Sequence, residues 1–203
     1  MSRLAAIIVV AFALAGCGSG SNDNEAASPT TTSTSPPTTT SPPSMQTVPD
    51  CMPSPNASTS PQMSSDANRE TMYLTNVTTG ADECTGKVVF GFEEQAPGPG
   101  FDVSYQPADT AKIEDGSGNL IDIDGDAFLV VKLNPAMTAK IDGEQVNKTY
   151  TGPRRLPGTD PITEVVKTGD FEGVVTWVIG LDSKRSFTTN ASDSALVVEI
   201  DRS

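Results

Sequence analysis

The sequence predicts an all-β chain, an antiparallel β-sandwich preceded by a disordered tether rich in Ser, Thr and Pro. From Met72 onward, short apolar stretches are separated by Gly, Asp and Asn, and no window carries a helical apolar stripe. Residues 28–49 contain 19 Ser, Thr or Pro among 22 positions. Hydrophobic residues make up only 36% of the 203 residues, so part of the chain lies outside any folded core. These observations favour about six to nine short strands in one domain.

The first element is an export signal over residues 1–16. Arg3 is followed by a small and apolar run from Leu4 to Gly16, which is too short to cross a ~30 Å hydrocarbon core as a helix. A positive charge, a short apolar run and small residues are typical of a signal peptide. The sequence Leu-Ala-Gly-Cys at its end resembles a bacterial lipobox, which makes Cys17 the lipidated first residue of the mature chain.

The second element is the tether, which we assign to residues 17–68. Ser/Thr/Pro-rich sequence cannot bury enough apolar surface to offset its ordering entropy, and proline favours extended polyproline II. The tether is interpreted as a spacer between membrane and domain. O-glycosylation of its threonine clusters is a further reading that the sequence leaves open.

The third element is the sandwich, assigned to residues 69–203. Alternating apolar residues predict strands at Lys87–Phe92, at 101–105 and at 196–201. Near-continuous apolar runs at Phe128–Leu133 and Val174–Leu181 predict strands that are covered on both faces, which places Trp177 in the core. Hairpin turns are expected at Asp115-Gly116, at Asp142-Gly143 and between Gly169 and Gly173.

Two cysteines remain after lipidation, Cys51 near the end of the tether and Cys84 just before a strand. In an exported protein such a pair more often forms a disulfide than stays free, and a Cys51–Cys84 bond would attach the end of the tether to the domain. Free thiols or intermolecular pairing are the alternatives.

Composition excludes several classes of function. The chain has 13 Lys+Arg, 26 Asp+Glu and no His, for a net charge of −13. Such an acidic chain is not expected to bind nucleic acid or an anionic membrane surface. The absence of His excludes Ser-His-Asp and Cys-His hydrolases and His-ligated zinc, and no S-x-x-K or G-x-S-x-G motif occurs. We predict a non-enzymatic protein with no catalytic residues and no cofactor.

Two acidic turns, 115–119 and 122–126, place oxygen side chains at alternate positions, as calcium loops do at their start. Neither has the glycine at position six nor the glutamate at position twelve of an EF-hand. They are interpreted as solvated turns beside strands, and no metal site is predicted.

The segment Tyr150–Arg155 carries two adjacent positive charges in an acidic chain. Arg154 and Arg155 can bind carboxylates in bidentate fashion, and Tyr150 can offer a ring face to a sugar. Because peptidoglycan stems carry carboxylates, these three residues are the candidate ligand-binding site. The alternative is that both arginines pair with nearby acids of the chain itself.

Several of these segments resemble the AMIN-like domain of actinobacterial lipoproteins. The resemblance rests on KVVFGFE (87–93), PGPGFDVSY (97–105), YTGPR (150–154), GDFEGVVTWVIGLD (169–182), Ser186-Phe187 and LVVEID (196–201). It implies a β-sandwich and, by analogy with the AMIN domains of cell-wall amidases, the binding of envelope components such as peptidoglycan. It implies no catalytic residues.

We therefore expect an extracytoplasmic lipoprotein, held at the membrane only by the lipid on Cys17, whose sandwich binds peptidoglycan. The alternative is an adaptor that docks another exported envelope protein.

Overall fold

The computed structural model describes residues 51–64, 70–93 and 98–202. The predicted signal peptide, Cys17 and residues 18–50 of the predicted tether lie outside the described residues. Within the part that is described, no helix combines the length and apolarity that crossing a membrane requires.

Two antiparallel sheets form the domain, which confirms the predicted all-β fold. Strands are numbered in chain order. The larger sheet has six strands, which in spatial order are β1 (Gln62–Met63), β4 (Phe101–Gln106), β5 (Ala127–Leu133), β11 (Val174–Leu181), β10 (Ile162–Phe171) and β9 (Arg155–Pro157). The smaller sheet has five, which are β12 (Phe187–Ser192), β13 (Ala195–Asp201), β3 (Thr85–Phe92), β2 (Met72–Ala81) and β6 (Ala136–Met137). Among the described strands, only the short β2–β6 pair is parallel.

Two further elements complete the described chain. A separate hairpin is formed by β7 (Ala139–Asp142) and β8 (Gln145–Lys148), with a two-residue turn at Gly143-Glu144, one residue beyond the predicted Asp142-Gly143 pair. A single helical turn, α1 (Ala108–Ala111), lies between β4 and β5.

The core lies between the two sheets. Period-two alternation puts one side of each strand inside, so that Phe90 of β3 meets Trp177 of β11 edge to face, with ring centroids 6.0 Å apart. Trp177 is 0% exposed, which confirms its predicted place in the core. Truncating a buried Trp to Ala typically costs about 3–5 kcal/mol, so this contact is a main source of stability.

Part of the outer side of the six-stranded sheet is also covered. Residues 107–126, here called the cover segment, place Ala111 and Ile123 against Phe128, Val130 and Val178 in a second apolar cluster. This arrangement explains why β5 and β11 read as near-continuous apolar runs. The two acidic turns belong to this segment, and the second of them buries Ile123.

Residues 51–64, which the sequence analysis assigns to the tether, pack on the domain. The folded part of the chain therefore begins before the predicted boundary at residue 69. Cys51 and Cys84 form a disulfide. Residue Ser58 pairs with Phe187 of β12, and β1 adds to the edge strand β4. The Gln62 side chain donates to Phe187 O at 2.7 Å and accepts from Thr189 N–H at 2.9 Å. A few specific contacts therefore order a segment whose composition resembles a linker.

Candidate functional site

The structure differs from the expectation for Tyr150, which has no free ring face. The side chain is 6% exposed, and its ring packs edge-on against Trp177 with centroids 5.7 Å apart. The Lys167 ammonium lies 5.7 Å from the ring centroid, and the hydroxyl donates to Pro153 O at 2.7 Å. Burial raises the pKa of the Tyr150 phenol. The residue is therefore part of the core rather than a platform for a sugar.

Arg154 is engaged by the cover segment. Its Nη2 donates to Glu114 Oε1 at 2.6 Å and its Nε donates to Lys167 O at 2.9 Å. The Ser117 hydroxyl also bonds Glu114, and together with Arg154 it lowers the pKa of that carboxyl. Arg154 thus ties the start of β9 to the turn at 115–117.

Arg155 makes a second tie to the same segment. Its guanidinium pairs with Glu164, whose side chain is only 8% exposed, and its Nη2 donates to Asp122 O at 2.7 Å. The other oxygen of Glu164 accepts from Asp124 N–H at 2.6 Å. Both arginines therefore pair with acids of the chain, as the alternative reading stated, and these pairs engage part of each guanidinium group.

The acidic turns hold the cover segment by their backbone. Asp115 N–H donates to Thr168 O at 3.0 Å, and Asp124 O accepts from the Thr163 hydroxyl at 2.6 Å. Across the described ranges, no group of three or more Cys, Asp or Glu is arranged to hold a metal ion.

Beyond the cover segment, the outer face of the six-stranded sheet is open and forms a depression. This depression, here called the outer groove, has a volume of about 830 Å³. Its lining comes from five neighbouring strands and the loops at their ends, and comprises Met63, Ser64, Phe101, Asp102, Asp115, Gly116, Lys132, Asn134, Pro135, Phe171, Glu172, Val174 and Thr176.

A row of polar side chains crosses the floor of the outer groove. Strand register places Asp102 of β4 opposite Lys132 of β5, and Lys132 opposite Thr176 of β11. Directly opposed residues share a face of the sheet, so these three side chains lie side by side. Their neighbours Val103, Val131 and Trp177 point to the core.

Exposed apolar side chains stand at both sides of this row. Met63 of β1 pairs with Asp102 and is 64% exposed. Phe171, at the end of β10, is 59% exposed and pairs with Val174. Its position depends on a two-residue turn, Glu172-Gly173, in which both residues have positive φ, 51° and 77°, as a type I′ hairpin requires.

Gly169 determines where the row ends. It pairs with Thr176, and the space that a Cβ at Gly169 would need is occupied by the Asp115 carboxylate of the cover segment. The row therefore runs from Met63 through Asp102, Lys132 and Thr176 to an acid supplied by the cover segment. Four inter-strand spacings of ~4.8 Å make it roughly 19 Å long, enough for several residues of a polymer.

The polar groups of this floor lack partners. Asp102 Oδ1 and Thr176 Oγ1 are buried without a hydrogen bond, and Lys132 is exposed and forms no ion pair with any described residue. Buried polar atoms are normally hydrogen-bonded, so unsatisfied ones in an open groove indicate a place where a ligand can bind.

Family comparison is consistent with this architecture. The model of the AMIN-like domain family matches residues 72–202. The chain belongs to the AMIN-like domain family. No curated protein and no solved structure matches the chain.

The AMIN-like domain points to a role at the cell envelope in connection with the cell wall. The matched region contains every strand of the sandwich except β1, and it includes the whole floor of the outer groove. The segment 169–182, the most specific part of the resemblance, supplies Phe171, the I′ turn, Thr176 and the core residue Trp177.

Sequence reasoning missed the outer groove. The available signal was the position of Lys132 and Thr176, which interrupt the otherwise apolar runs of β5 and β11. Pairing of those two interruptions depends on strand register, which the sequence alone does not provide.

Proposed function

We propose that this protein is a non-enzymatic, membrane-anchored envelope protein whose AMIN-like domain binds peptidoglycan through the outer groove. The observation that carries the proposal is the groove itself, a polar floor with unpartnered groups between two exposed apolar side chains, Met63 and Phe171. Sites that bind ligands combine apolar walls with a few convergent polar groups in this way.

The chemistry of the wall polymer suits this lining. Peptidoglycan consists of sugar rings, whose apolar faces pack on aromatic side chains, and peptide stems that carry charged groups. Phe171 offers an exposed ring, while Asp102 and Lys132 offer one charge of each sign. The length of the row also fits a repeating polymer better than a single small molecule.

The proposed location follows from the N-terminal sequence. A lipid on Cys17 anchors the chain, and the Ser/Thr/Pro-rich tether allows the domain to reach the wall. Removal of residues 1–16 deletes Arg3 and no acid, so the mature chain carries 12 − 26 = −14 charges. An anionic leaflet repels such a body, which favours contact with the wall over contact with lipid.

The test is co-sedimentation of the purified full-length protein with insoluble peptidoglycan in detergent. We expect wild-type protein to sediment and Phe171→Ala to weaken its binding about tenfold, because truncating an exposed aromatic anchor typically costs more than 1 kcal/mol. The matched control is Ile141→Ala, which removes an equally exposed apolar side chain, at 65%, outside the groove.

Two outcomes contradict the proposal. Wild-type protein that stays in the supernatant would argue against wall binding altogether. Equal binding by Phe171→Ala and wild type would remove the outer groove from the proposal. The double variant Arg154→Ala/Arg155→Ala then asks whether the sequence-predicted arginines act instead.

A second candidate, an adaptor for another exported protein, is favoured by the β7–β8 hairpin. Ile141 and Val146 pair directly across this hairpin and are 65% and 64% exposed. Such a pair of apolar side chains on a two-stranded projection is a plausible protein contact. A photo-crosslinking amino acid at position 141 should then give one discrete adduct in living cells, and the same amino acid at Asp193, an exposed position in the turn between β12 and β13, should give none.

A further inference from the structure

The three floor residues of the outer groove are polar side chains without polar partners in the described part of the chain. Among the described residues, Lys87, Lys140, Lys167 and all four arginines form ion pairs, whereas Lys132, like Lys112, Lys148 and Lys184, forms none. Asp102 likewise has no hydrogen bond or ion pair with a described residue, and its Oδ1 is buried. Opposite charges thus lie on neighbouring strands without being matched.

Thr176 extends this unmatched row by one strand. Thr176 lines the groove and is 4% exposed, and its Oγ1 is buried without a partner. A hydroxyl can donate to a carboxylate or accept from an ammonium. The floor therefore presents an acceptor, a cation and a hydroxyl at successive spacings of about 4.5–5.5 Å.

The acids around the row restrict which ligand it can accept. Asp115 and Glu172 also line the groove, so three carboxylates face a single ammonium. A ligand that carries only a carboxylate is repelled by these acids, and one that carries only an ammonium leaves Lys132 without a partner. A ligand with both groups satisfies both requirements.

We infer that the outer groove binds a zwitterionic amino-acid end, in which one carbon carries a free ammonium and a free carboxylate. The ammonium donates to Asp102, while the carboxylate pairs with Lys132 and accepts from the Thr176 hydroxyl. This inference rests on the proposed function, and in peptidoglycan it selects stems whose diamino acid keeps its side-chain ammonium and carboxylate free. The glycan that carries these stems then packs on Phe171 beside the row and adds to binding without determining its selectivity.

The experiment measures binding of full-length protein to four soluble probes by calorimetry. The first is a stem tripeptide that ends in a diamino dicarboxylic acid. The second has the side-chain carboxylate of that residue amidated, and the third has its side-chain amine acetylated. The fourth is a peptide-free glycan oligosaccharide. We expect the first probe to bind, and each masked probe to bind about tenfold more weakly, because one charge-assisted contact is lost.

Variants assign each charge to its partner. Lys132→Gln should abolish the preference for free carboxylate over amide and leave the preference for free amine intact. Asp102→Asn should do the reverse. Lys148→Gln, which changes an exposed lysine outside the groove, should alter neither preference. A merely structural role for Asp102 or Lys132 would weaken all peptide probes equally.

The failures can be told apart. If the protein sediments with whole peptidoglycan and binds the glycan probe as tightly as the free tripeptide, or binds all three peptides equally, or binds no soluble probe, the zwitterion inference is wrong and the proposed function stands. Mutual pairing of Asp102 and Lys132 in solution predicts this second pattern. If neither the polymer nor any probe is bound, both are wrong. Wild-type protein alone decides these cases, so the result does not depend on how the variants fold.

Discussion

Asp82 organises the tight turn between β2 and β3. Its carboxylate accepts from Cys84 N–H at 2.9 Å, from Thr85 N–H at 2.7 Å and from the Thr85 hydroxyl at 3.0 Å, and it pairs with Lys87 at 3.0 Å. The Lys87 ammonium, followed by the two backbone donors, holds the pKa of Asp82 well below its usual range. Since Cys84 also forms the disulfide with Cys51, the turn that Asp82 organises is linked to the N-terminal segment.

This shift predicts a pH dependence of stability. A carboxyl whose pKa is depressed in the folded state stabilises that state above its unfolded pKa of about 3.9, and the stabilisation is lost as pH falls through the folded pKa. We expect Asp82→Asn to melt at a lower temperature than wild type at about pH 6, and the difference to shrink below about pH 3. Thermal unfolding by circular dichroism checks this.

The control for Asp82→Asn is Asp142→Asn, at an exposed acid in the turn of the β7–β8 hairpin, which should leave the melting curve unchanged at both pH values. A melting difference that stays constant from about pH 6 to pH 2 would show that the charge of Asp82 is irrelevant and that only the hydrogen bonds count.

At the residue scale, burial could be predicted from the sequence and partners could not. Trp177 lies in the core as its apolar strand predicts. Arg154 pairs with Glu114, which is 40 residues away along the chain, and only the fold brings the two together. Tyr150 sits in an unremarkable polar stretch, yet packing against Trp177 buries it.

At the scale of elements, the disulfide and β1 together order residues 51–64. The bond closes a loop with a sequence separation of 33, and in the chain-entropy model a loop of this size contributes about 3–4 kcal/mol to the free energy of unfolding. Without it, only the Ser58–Phe187 bridge, the short β1–β4 pairing and side-chain bonds such as those of Ser54 and Gln62 hold the segment.

We therefore expect the double variant Cys51→Ser/Cys84→Ser to unfold at lower urea, with a free energy of unfolding reduced by about 3–4 kcal/mol. Hydrogen exchange should also quicken at the Thr189 amide, because this amide donates to Gln62 Oε1. The control is Gln62→Ala. It should speed hydrogen exchange at the same Thr189 amide while retaining most of the free energy of unfolding. Lost stability with unchanged exchange at Thr189 would contradict a role in holding β1.

Strand prediction succeeded where one face is buried and the ladder is regular. β3, β4, β5, β11 and β13 all appear at their predicted places. The sequence pattern does not predict β10, because register shifts near 162–164 and 167–169 interrupt its alternation of apolar and polar residues. The exposed hairpin β7–β8 carries no apolar pattern, and so only its turn could be predicted. The cover segment shows neither the two-residue apolar period of a strand nor the 3.6-residue period of a helix, although it buries Ile123.

At the scale of the whole molecule, charge and anchoring act together. The net charge of −13 repels an anionic leaflet, and in the described ranges no helix is suited to spanning one. In the proposed arrangement the lipid therefore does all of the anchoring, while the outer groove serves the wall. The sequence predicts an anchor because targeting depends on local motifs, whereas the outer groove depends on the register of five strands and cannot be predicted from the sequence alone.

The proposed lipid anchor is at Cys17, which lies outside the described residues. The sulfur atom is the nucleophile that the lipobox pattern requires, so neither Cys17→Ala nor Cys17→Ser should be lipidated. Two acyl chains, at about 0.8 kcal/mol per buried methylene, hold a protein firmly at a membrane. Without an acyl chain, the acidic mature protein is not held there. We expect both variants to accumulate as uncleaved precursor or as released protein. Mass spectrometry of the wild-type N-terminal peptide should show acylation on Cys17 with no residue before it, and an unmodified mature N-terminus elsewhere would overturn the lipoprotein proposal.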